Sequence, residues 1–401
     1  MHTSTRSQLS AFLSFHSANV SRTAIAQKRR KVLTTMLGAG LSAIMCSACG
    51  GSSSASPNSS ASNSNVSGVA TGGVSSCSVQ QLEADMNNQL AQLSTDTDFS
   101  FAVERDDGRR YVYQRGSSRM QTLYESASTS KLVSAVIILR LVEQGYLKLE
   151  DKPQDRISTW PIAAGSSLAA MNLANLLSFT SGLTEEPLCI NAGFMNFESC
   201  VNTIANANAN NQMLPGTGFY YASTHLQVAG LMAIKARGVA SWQEVFSEFK
   251  QQTGLFKNAT YDLPSLSNPR LAGGMHWTGD EYLDFLSALK KGKLLNPNSM
   301  AQLLTDRTAA AKLVYSPAAA LGEVWHYGFG SWHECQSSSF NCSPAARISS
   351  PGAYGAYPFW DRNKSYVGIL ARQGSLGTFT QGVALERAIR PKVEAWVACG
   401  T

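Results

Sequence analysis

Three patterns that mark common enzyme classes are absent from this chain of 401 residues. It has no Gly-x-Ser-x-Gly segment, which argues against the nucleophile elbow and catalytic triad of an α/β-hydrolase. Its six histidines show no His-Glu-x-x-His or other metal-ligand spacing. It also has no glycine-rich loop of the kind that holds phosphate groups. We therefore expect no metal site and no cofactor.

Acidic residues are missing from the first 49 positions, although this segment holds six basic residues: Arg6, Arg22, Lys28, Arg29, Arg30 and Lys31. These six account for the whole formal net charge of +6, so the rest of the chain carries equal numbers of acidic and basic residues. A balanced chain offers no basic face for nucleic acid or for an anionic membrane surface. We expect no nucleic-acid partner, and membrane contact only through a lipid anchor.

Long apolar runs are scarce near the N-terminus as well. About fourteen mostly apolar residues, 32–45, follow the basic stretch, and such a run is too short for a permanent membrane span. A basic stretch, a short apolar run and a small-residue site together indicate an export signal over residues 1–49. Cys46-Ser47-Ala48-Cys49 resembles a bacterial lipobox with a lipid-accepting Cys49, although Cys46 stands where the box normally has Leu. The signal predicts an exported bacterial protein that is periplasmic after cleavage or is a membrane-anchored lipoprotein.

Residues 50–76 are mostly Gly, Ser, Ala and Asn. Such a segment cannot bury enough apolar surface to order itself, so it predicts a flexible tether. The remaining residues, 77–401, suit one large domain or two lobes that share a core. Six cysteines fall in this domain, and an even number in an exported chain indicates disulfides. The expected pairs close two short loops and join the two ends of the domain: Cys189–Cys200, Cys335–Cys342 and Cys77–Cys399.

Strand patterns lie near both ends of the domain, and helical patterns fill its middle. Residues 99–103 and 110–113 flank Asp106-Asp107-Gly108, which is typical of a β-hairpin. Strand patterns return at 327–332, 352–360 and 365–371. Residues 79–93 and 380–398 have helical periodicity, with a kink or break expected at Pro391. We predict an α+β fold, in which an antiparallel sheet is covered by the terminal helices and a mainly helical lobe is inserted.

The most informative segment is Ser128-Thr129-Ser130-Lys131, which lies where a polar loop meets the apolar helical segment 132–143. A serine and a lysine three positions apart lie on the same face of a helix. At a helix start the free N–H groups favour an ionised hydroxyl, and burial lowers the pKa of a lysine towards that of a useful base. Two further copies of the spacing fall within amphipathic helices, where Ser and Lys are typical of solvated surface: Ser247 with Lys250, and Ser287 with Lys290.

Four segments, in the same order, resemble the serine β-lactamase and penicillin-binding protein superfamily. The resemblance is closest to its branch of class C-like β-lactamases, D-Ala-D-Ala carboxypeptidases and family VIII esterases. Ser128 and Lys131 match the Ser-x-x-Lys motif, and residues 175–183 are similar to an LLSHTSGL stretch. Residues 215–223 end in a Tyr-x-Ser motif, and residues 269–275 resemble an RxAGG turn. The resemblance spans residues 77–400 and implies the β-lactamase-like fold.

This resemblance implies a role for each motif residue. Ser128 attacks a carbonyl group and forms an acyl-enzyme. Lys131 and Tyr221 act together as the base, the phenol having a lowered pKa beside the lysine. Ser223 relays protons or orients Lys131. His225, which follows closely, either lines the site or packs in the core as an ordinary buried histidine.

The third motif of the family, usually led by Lys or His and ended by Gly, aligns best with residues 350–352. On this register Ser350 leads the motif, Gly352 ends it, and the backbone N–H groups of Ser128 and Ala353 form the oxyanion hole. Ser350 carries no charge that could bind a substrate carboxylate. The intervening Pro351 lacks a donor and fits only a strand edge.

These features predict a serine hydrolase that acts on a small carboxylic ester, amide or peptide. Esters and amides come first, because Ser350 weakens the case for carboxylate-bearing substrates, and Arg347 is a candidate to supply the missing charge. The alternatives are a β-lactamase or D-Ala-D-Ala carboxypeptidase and, from another class, a non-catalytic binding lipoprotein tethered to a surface. The intact set of Ser128, Lys131 and Tyr221 argues against the last.

Overall fold

The computed structural model of the protein describes residues 77–399. The expected export signal, the tether and Cys49 lie outside the described residues. The helices of this range are α1 (Val79–Gln92), α2 (Ser130–Glu143), α3 (Pro153–Arg156), α4 (Leu173–Leu177), α5 (Phe197–Asn208), α6 (Thr224–Arg237), α7 (Trp242–Thr253), α8 (Gly279–Lys290), α9 (Pro297–Leu303) and α10 (Phe379–Ala398). Its strands are β1 (Ser100–Glu104), β2 (Arg110–Gln114), β3 (Leu123–Glu125), β4 (Gly218–Tyr220), β5 (Thr260–Tyr261), β6 (Met275–Thr278), β7 (Lys312–Tyr315), β8 (His326–Tyr327), β9 (Trp332–His333), β10 (Arg347–Ser349), β11 (Tyr357–Asp361) and β12 (Tyr366–Ala371).

The main sheet has seven strands in the order β2-β1-β12-β11-β10-β9-β8, and the pairs are antiparallel. The N-terminal hairpin therefore pairs with strands from the far end of the chain. β1 and β12 are buried at every position, so both faces of the sheet centre are covered. The terminal helices α1 and α10 pack on each other and on the sheet, and α8 packs on β1 and β12. The predicted α+β fold with terminal helices over an antiparallel sheet is confirmed.

The helical lobe is built around α6, which is buried from Thr224 to Ile234. Five other helices pack on it: α2, α3, α4, α5 and α7. α2 is buried on all sides over most of its length because residues 132–139 are apolar apart from Ser134. Two small sheets complete the fold, one of β3, β6 and β5 and one in which β4 pairs in parallel with β7. These small sheets bring the 270–275 and 218–221 segments to the N-terminal end of α2.

Two of the late strand patterns are shorter than the sequence suggests. Residues 327–332 do not form one strand, because β8 ends at Tyr327, β9 begins at Trp332, and these two residues pair with each other. Gly330 lies in the turn between them with φ of 66°, a backbone conformation that favours glycine. Residues 352–355 likewise form a turn, and β11 begins only at Tyr357.

Of the kink or break expected at Pro391, the break is wrong. α10 runs without interruption from Phe379 to Ala398 through this proline. Proline removes one helical hydrogen bond and crowds the preceding turn. In α10 the residues on either side, Ile389, Val393 and Trp396, are fully buried against the domain. Burial of this apolar face outweighs the local cost of the proline.

Within residues 77–399, three disulfides join the pairs expected from the sequence: Cys77–Cys399, Cys189–Cys200 and Cys335–Cys342. The first joins the two ends of the described chain, with Cα atoms 5.6 Å apart. No helix of residues 77–399 has the length and apolar character that a membrane span requires.

Candidate active site

Ser128 lies in a single 3₁₀ turn, Ala127–Thr129, immediately before α2. Ala127 has φ of 43°, which is rare for a residue with a side chain. The turn is held in this shape by its neighbours. The N–H of Ser126 donates to the carbonyl of Met275 over 2.9 Å, and the hydroxyl of Ser130 donates to the carbonyl of Ala127 over 2.9 Å.

The side chain of Lys131 reaches back from α2 to this turn. Its Nζ donates to Ser128 Oγ over 2.8 Å and to the carbonyl of Ala272 over 2.7 Å. Burial lowers the pKa of Lys131 to about 7, opposed by the negative charge of Glu186 and reinforced by the positive charge of Arg270. At neutral pH a large fraction of the molecules therefore carries a neutral amine that can accept the proton of Ser128.

Tyr221 follows β4 and packs beside the same pair. Its ring centroid lies 4.6 Å from Lys131 Nζ, and the ring stacks on Trp332 with centroids 5.0 Å apart. Burial raises the pKa of Tyr221, while hydrogen bonds with Ser128 and Trp332 lower it without reversing that rise. This direction is the opposite of the lowered value expected from the sequence. The phenol is thus a proton donor at neutral pH rather than a ready base.

Ser223 occupies the N-cap position of α6. Its N–H donates to Glu186 Oε2 over 2.8 Å, and within residues 77–399 its hydroxyl has no hydrogen bond with Lys131. The residue next to Ser223 that acts on Lys131 is Glu186, because its negative charge raises the pKa of Lys131. Sequence reasoning missed Glu186, because a lone glutamate in a loop carries no motif.

The third motif lies against the nucleophile turn. Ser350 Oγ donates to the backbone carbonyl of Ser128 over 2.9 Å. A Cβ atom at Gly352 would lie 2.5 Å from the carbonyl oxygen of Ser126, so only glycine permits this close approach. Pro351 follows the end of β10 at Ser349 and does not lie on an edge strand, since β10 pairs with both β9 and β11.

The oxyanion hole that the family resemblance implies uses the backbone N–H groups of Ser128 and Ala353. Within the described range, the N–H groups of Ser128 and Ala353 have no hydrogen-bond acceptor. Ala353 is fixed through its carbonyl, which accepts from Gly377 over 2.8 Å and from Thr378 over 3.0 Å. The pair is thus free to donate to an incoming oxygen atom.

Arg347 is not available to bind a substrate. Its side chain is buried and donates to Glu386 over 2.6 Å, to Asp361 over 3.1 Å and to the hydroxyl of Tyr366 over 2.5 Å. The expectation that Arg347 supplies the missing charge is wrong, because two carboxylates already neutralise it. The sequence could not show this, since both partners come from other elements.

His225 is a buried core residue of α6. Ser181 Oγ lies 2.8 Å from its Nδ1, and the carbonyl of Tyr220 lies 2.8 Å from its Nε2. The imidazole also stacks on Phe179 with centroids 4.8 Å apart. Burial lowers the pKa of His225 to about 4, so the ring is neutral and fixes the backbone next to Tyr221.

The other two Ser-x-x-Lys copies lie away from this site. Ser247 is exposed on α7, as expected. Ser287 on α8 is buried rather than solvated, and its hydroxyl donates to Glu104 Oε1. Lys290 donates to Asp106 and to the carbonyl of Ser365. Over residues 77–399 no group of three or more His, Cys, Asp or Glu side chains is arranged to hold a metal ion.

A profile of the family described as Beta-lactamase matches residues 100–378, which is more than half of the chain. The protein therefore belongs to the Beta-lactamase family. Comparison with curated proteins gave no match.

Solved structures show the same fold at low sequence identity. EstCE1, described as a hydrolase with promiscuous acyltransferase activity, is 20% identical with a TM-score of 0.63, over 78% of this chain and 99% of that one. A beta-lactamase/D-alanine carboxypeptidase from Yersinia pestis is 15% identical with a TM-score of 0.61, over 80% and 98% of the two chains. A penicillin binding protein from Bacillus halodurans is 18% identical with a TM-score of 0.55, over 79% and 98%. These similarities show the fold alone. The substrate has to be inferred from the residues of the site.

Proposed function

We propose that the protein is an exported serine hydrolase that cleaves carboxylic esters or amides through an acyl-enzyme on Ser128. The observation that carries this proposal is the contact of 2.8 Å between Lys131 Nζ and Ser128 Oγ. It is a buried contact in which burial brings the pKa of the lysine to about 7. A nucleophile and a base matched to neutral pH are what acyl transfer requires.

In this mechanism Ser128 Oγ attacks the substrate carbonyl and its proton passes to Lys131 Nζ. The N–H groups of Ser128 and Ala353 donate to the negatively charged oxygen of the tetrahedral intermediate. Tyr221, which is protonated at neutral pH, donates its proton to the leaving group, and Lys131 returns a proton to Tyr221. Water then attacks the acyl-enzyme and passes a proton to Lys131. Lys131 returns this proton to Ser128 Oγ as the bond between Ser128 and the acyl group breaks and the acid leaves.

Esters and amides are favoured over β-lactams because of Ser350. Its hydroxyl is engaged with the carbonyl of Ser128 and has no charge for a substrate carboxylate. A β-lactamase or D-Ala-D-Ala carboxypeptidase remains the enzyme alternative, and a non-catalytic binding lipoprotein is the alternative of another class. Three disulfides support export, since such bonds persist in oxidising compartments. For the exported protein we propose two alternative locations: it is released into the periplasm after cleavage, or it is anchored to a membrane by a lipid on Cys49.

Labelling with a neutral fluorophosphonate probe tests the nucleophile. The wild-type protein is expected to gain one adduct on Ser128 at neutral pH, and Ser128→Ala is expected to gain none. Ser247→Ala is the matched control, because Ser247 shares the Ser-x-x-Lys spacing but is exposed on α7. An unlabelled wild-type protein would overturn the proposal in favour of a binding protein. Equal labelling of Ser128→Ala would overturn it by placing the reactive nucleophile at another residue. Assays of a p-nitrophenyl ester beside a chromogenic cephalosporin then separate the two enzyme classes.

A further inference from the structure

The turn that carries Ala353 is held by the chain that follows β12. The carbonyl of Ala353 accepts from the N–H groups of Gly377 over 2.8 Å and Thr378 over 3.0 Å. The N–H of Gly374 donates to the carbonyl of Tyr354 over 2.9 Å. Three backbone hydrogen bonds thus join this segment to the turn, so the direction of the Ala353 N–H depends on where the segment lies.

Arg372, the first residue after β12, places its side chain against the end of the same turn. A Cβ atom added at Gly355 would lie 2.9 Å from Arg372 Nε, 3.0 Å from its Cζ and 3.1 Å from its Cδ. The guanidinium therefore contacts the backbone of Gly355, and no side chain fits between them. The carbonyl oxygen of Gly355 in turn lies so close to α10 that a Cβ atom at Gly382 would overlap it. Gly355 is thus enclosed by Arg372 and α10.

Arg372 is fully buried, yet its hydrogen-bonding groups are only partly satisfied. One terminal nitrogen forms an ion pair with Asp96, in the connection between α1 and β1, and donates to Gln381 Oε1 over 3.4 Å. Within residues 77–399, its Nε and its other terminal nitrogen are buried without a hydrogen-bond acceptor. Unpaired buried donors cost stability, and an apolar side chain would fill the same space at lower cost. Stability of the fold therefore does not explain this guanidinium, and such exceptions are found mainly at functional sites.

The ion pair with Asp96 sets the orientation of the guanidinium. A cavity of about 320 Å³ borders Arg372, Asp96 and Gln381, so close packing does not hold the guanidinium on that side. The charge-assisted bond to Asp96 is the strongest contact that keeps it against Gly355. A change at Asp96 should therefore reach the turn through Arg372.

We propose that Arg372 is a positioning residue for the oxyanion hole, which holds the 352–355 turn where the N–H of Ala353 can donate to the substrate oxygen. The inference rests on the proposed hydrolase function. Arg372 acts through the backbone of Gly355 rather than on the substrate. Negative charge develops on the substrate oxygen only as the tetrahedral intermediate forms, so the loss of Arg372 should lower kcat more than it raises KM.

The test measures kcat and KM for a neutral ester, p-nitrophenyl hexanoate, in Arg372→Met, whose side chain has a similar length but no charge. Rates are expressed per active site, counted by complete reaction with the fluorophosphonate probe, so that unfolded molecules do not contribute. The value of kcat is expected to fall by about 10-fold to 100-fold, because a displacement on the order of 1 Å at a catalytic group can cost about 100-fold. KM should change little, and the pH midpoint of kcat/KM, which reflects Lys131, should stay near 7.

Phenylboronic acid gives a second readout of the oxyanion hole. Its boron atom bonds to the oxygen of Ser128 and becomes a negatively charged tetrahedral centre, as in the intermediate. The inhibition constant in Arg372→Met is expected to rise by about the same factor as kcat/KM falls. A residue needed only for folding would reduce the number of titrated sites and leave both quantities unchanged per site.

Two further variants separate the role in the turn from the loss of a buried arginine. Arg387→Met is the matched control, since Arg387 on α10 also pairs with one carboxylate, Glu323, and within residues 77–399 its Nε is likewise buried without an acceptor. It should lose stability without losing kcat per site. Asp96→Asn keeps an acceptor for Arg372 but removes its charge, and should lower kcat by about 3-fold to 10-fold. This variant decides if Arg372→Met does not fold, because the side chain of Asp96 is 34% exposed.

The outcomes distinguish this inference from the function on which it rests. Unchanged kcat per site and an unchanged inhibition constant in Arg372→Met, or in Asp96→Asn where Arg372→Met does not fold, overturn the role of Arg372 and leave the hydrolase intact. An equal loss of kcat in Arg387→Met has the same meaning, because the loss of any such arginine would then explain the effect. A wild-type protein that the probe does not label contradicts the proposed function itself.

Discussion

The hydroxyl of Ser350 and the backbone carbonyl of Ser128 are joined by a hydrogen bond of 2.9 Å. The side chain that leads the third motif therefore holds the backbone of the nucleophile instead of facing the substrate with a charge.

For a neutral ester, kcat/KM should rise with increasing pH, with a midpoint near pH 7. Burial lowers the pKa of Lys131 to about 7, and only the unprotonated amine can accept the serine proton. Activity is thus lost as the pH falls below 7 and reaches a plateau above it. Lys131→Arg, which stays protonated, should lower kcat/KM by about 100-fold or more and abolish the rise. A midpoint near the ordinary lysine value would contradict a neutral Lys131.

Tyr221→Phe should reduce kcat without changing the pH midpoint of kcat/KM. The pKa of Tyr221 is raised by burial, so the phenol stays protonated through the neutral range and serves as a donor. Loss of one proton-transfer group typically costs about 100-fold to 10,000-fold in rate. Tyr220→Phe is the control, because Tyr220 is adjacent in sequence and pairs with Tyr315 instead. A shift of the midpoint in Tyr221→Phe would mean that the phenol itself titrates as the base.

Gly352→Ala should lower kcat/KM more than the small increase in side-chain volume suggests. The new Cβ would lie 2.5 Å from the carbonyl oxygen of Ser126, so the two turns must move apart and displace the N–H of Ala353. Displacements on the order of 1 Å at a catalytic group can cost about 100-fold in rate. Gly165→Ala is the matched control, since nothing lies within 4 Å of a Cβ there. Equal kcat/KM in the two variants would argue against a close approach.

Removal of the Cys77–Cys399 disulfide should lower stability and leave catalysis unchanged. This bond closes a loop with a sequence separation of 322, and such a crosslink stabilises a fold by about 2–4 kcal/mol. Urea unfolding of the double Cys→Ser variant measures the loss. The Cys335–Cys342 pair, with a separation of only 7, is the control and should cost less. A larger cost for the short loop would contradict the entropic origin of the effect.

Local patterns in the sequence predicted much of this fold. The hairpin around Asp107-Gly108 and the buried helix after Ser128 follow from turn residues and from apolar periodicity, which depend only on near neighbours. The strand ends at Tyr327 and Tyr357 were not predictable in the same way. Glycines in these segments turn the chain where the sheet geometry requires it, and single-residue turn positions do not show in an apolar pattern.

The electrostatics of the site were not predictable from the motifs. The pKa of Tyr221 depends on how completely Phe219, Phe179 and Trp332 surround its ring, and these residues come from three separate segments. Glu186 and Arg270 act on Lys131 across long stretches of chain. A motif names the residues that react, while the surrounding charges and burial that tune them are set only by the folded chain.

The two ends of the described chain lie with Cα atoms 5.6 Å apart at Cys77 and Cys399. A peptide linker of about two or three residues spans that distance, so the backbone could be closed into a ring without moving α1 or α10. New ends could then be opened at an exposed turn such as that at Gly292, far along the chain from Ser128. The order in which the elements follow one another is therefore separable from their arrangement in space. The domain is suited to circular permutation, with the sheet and the nucleophile turn preserved.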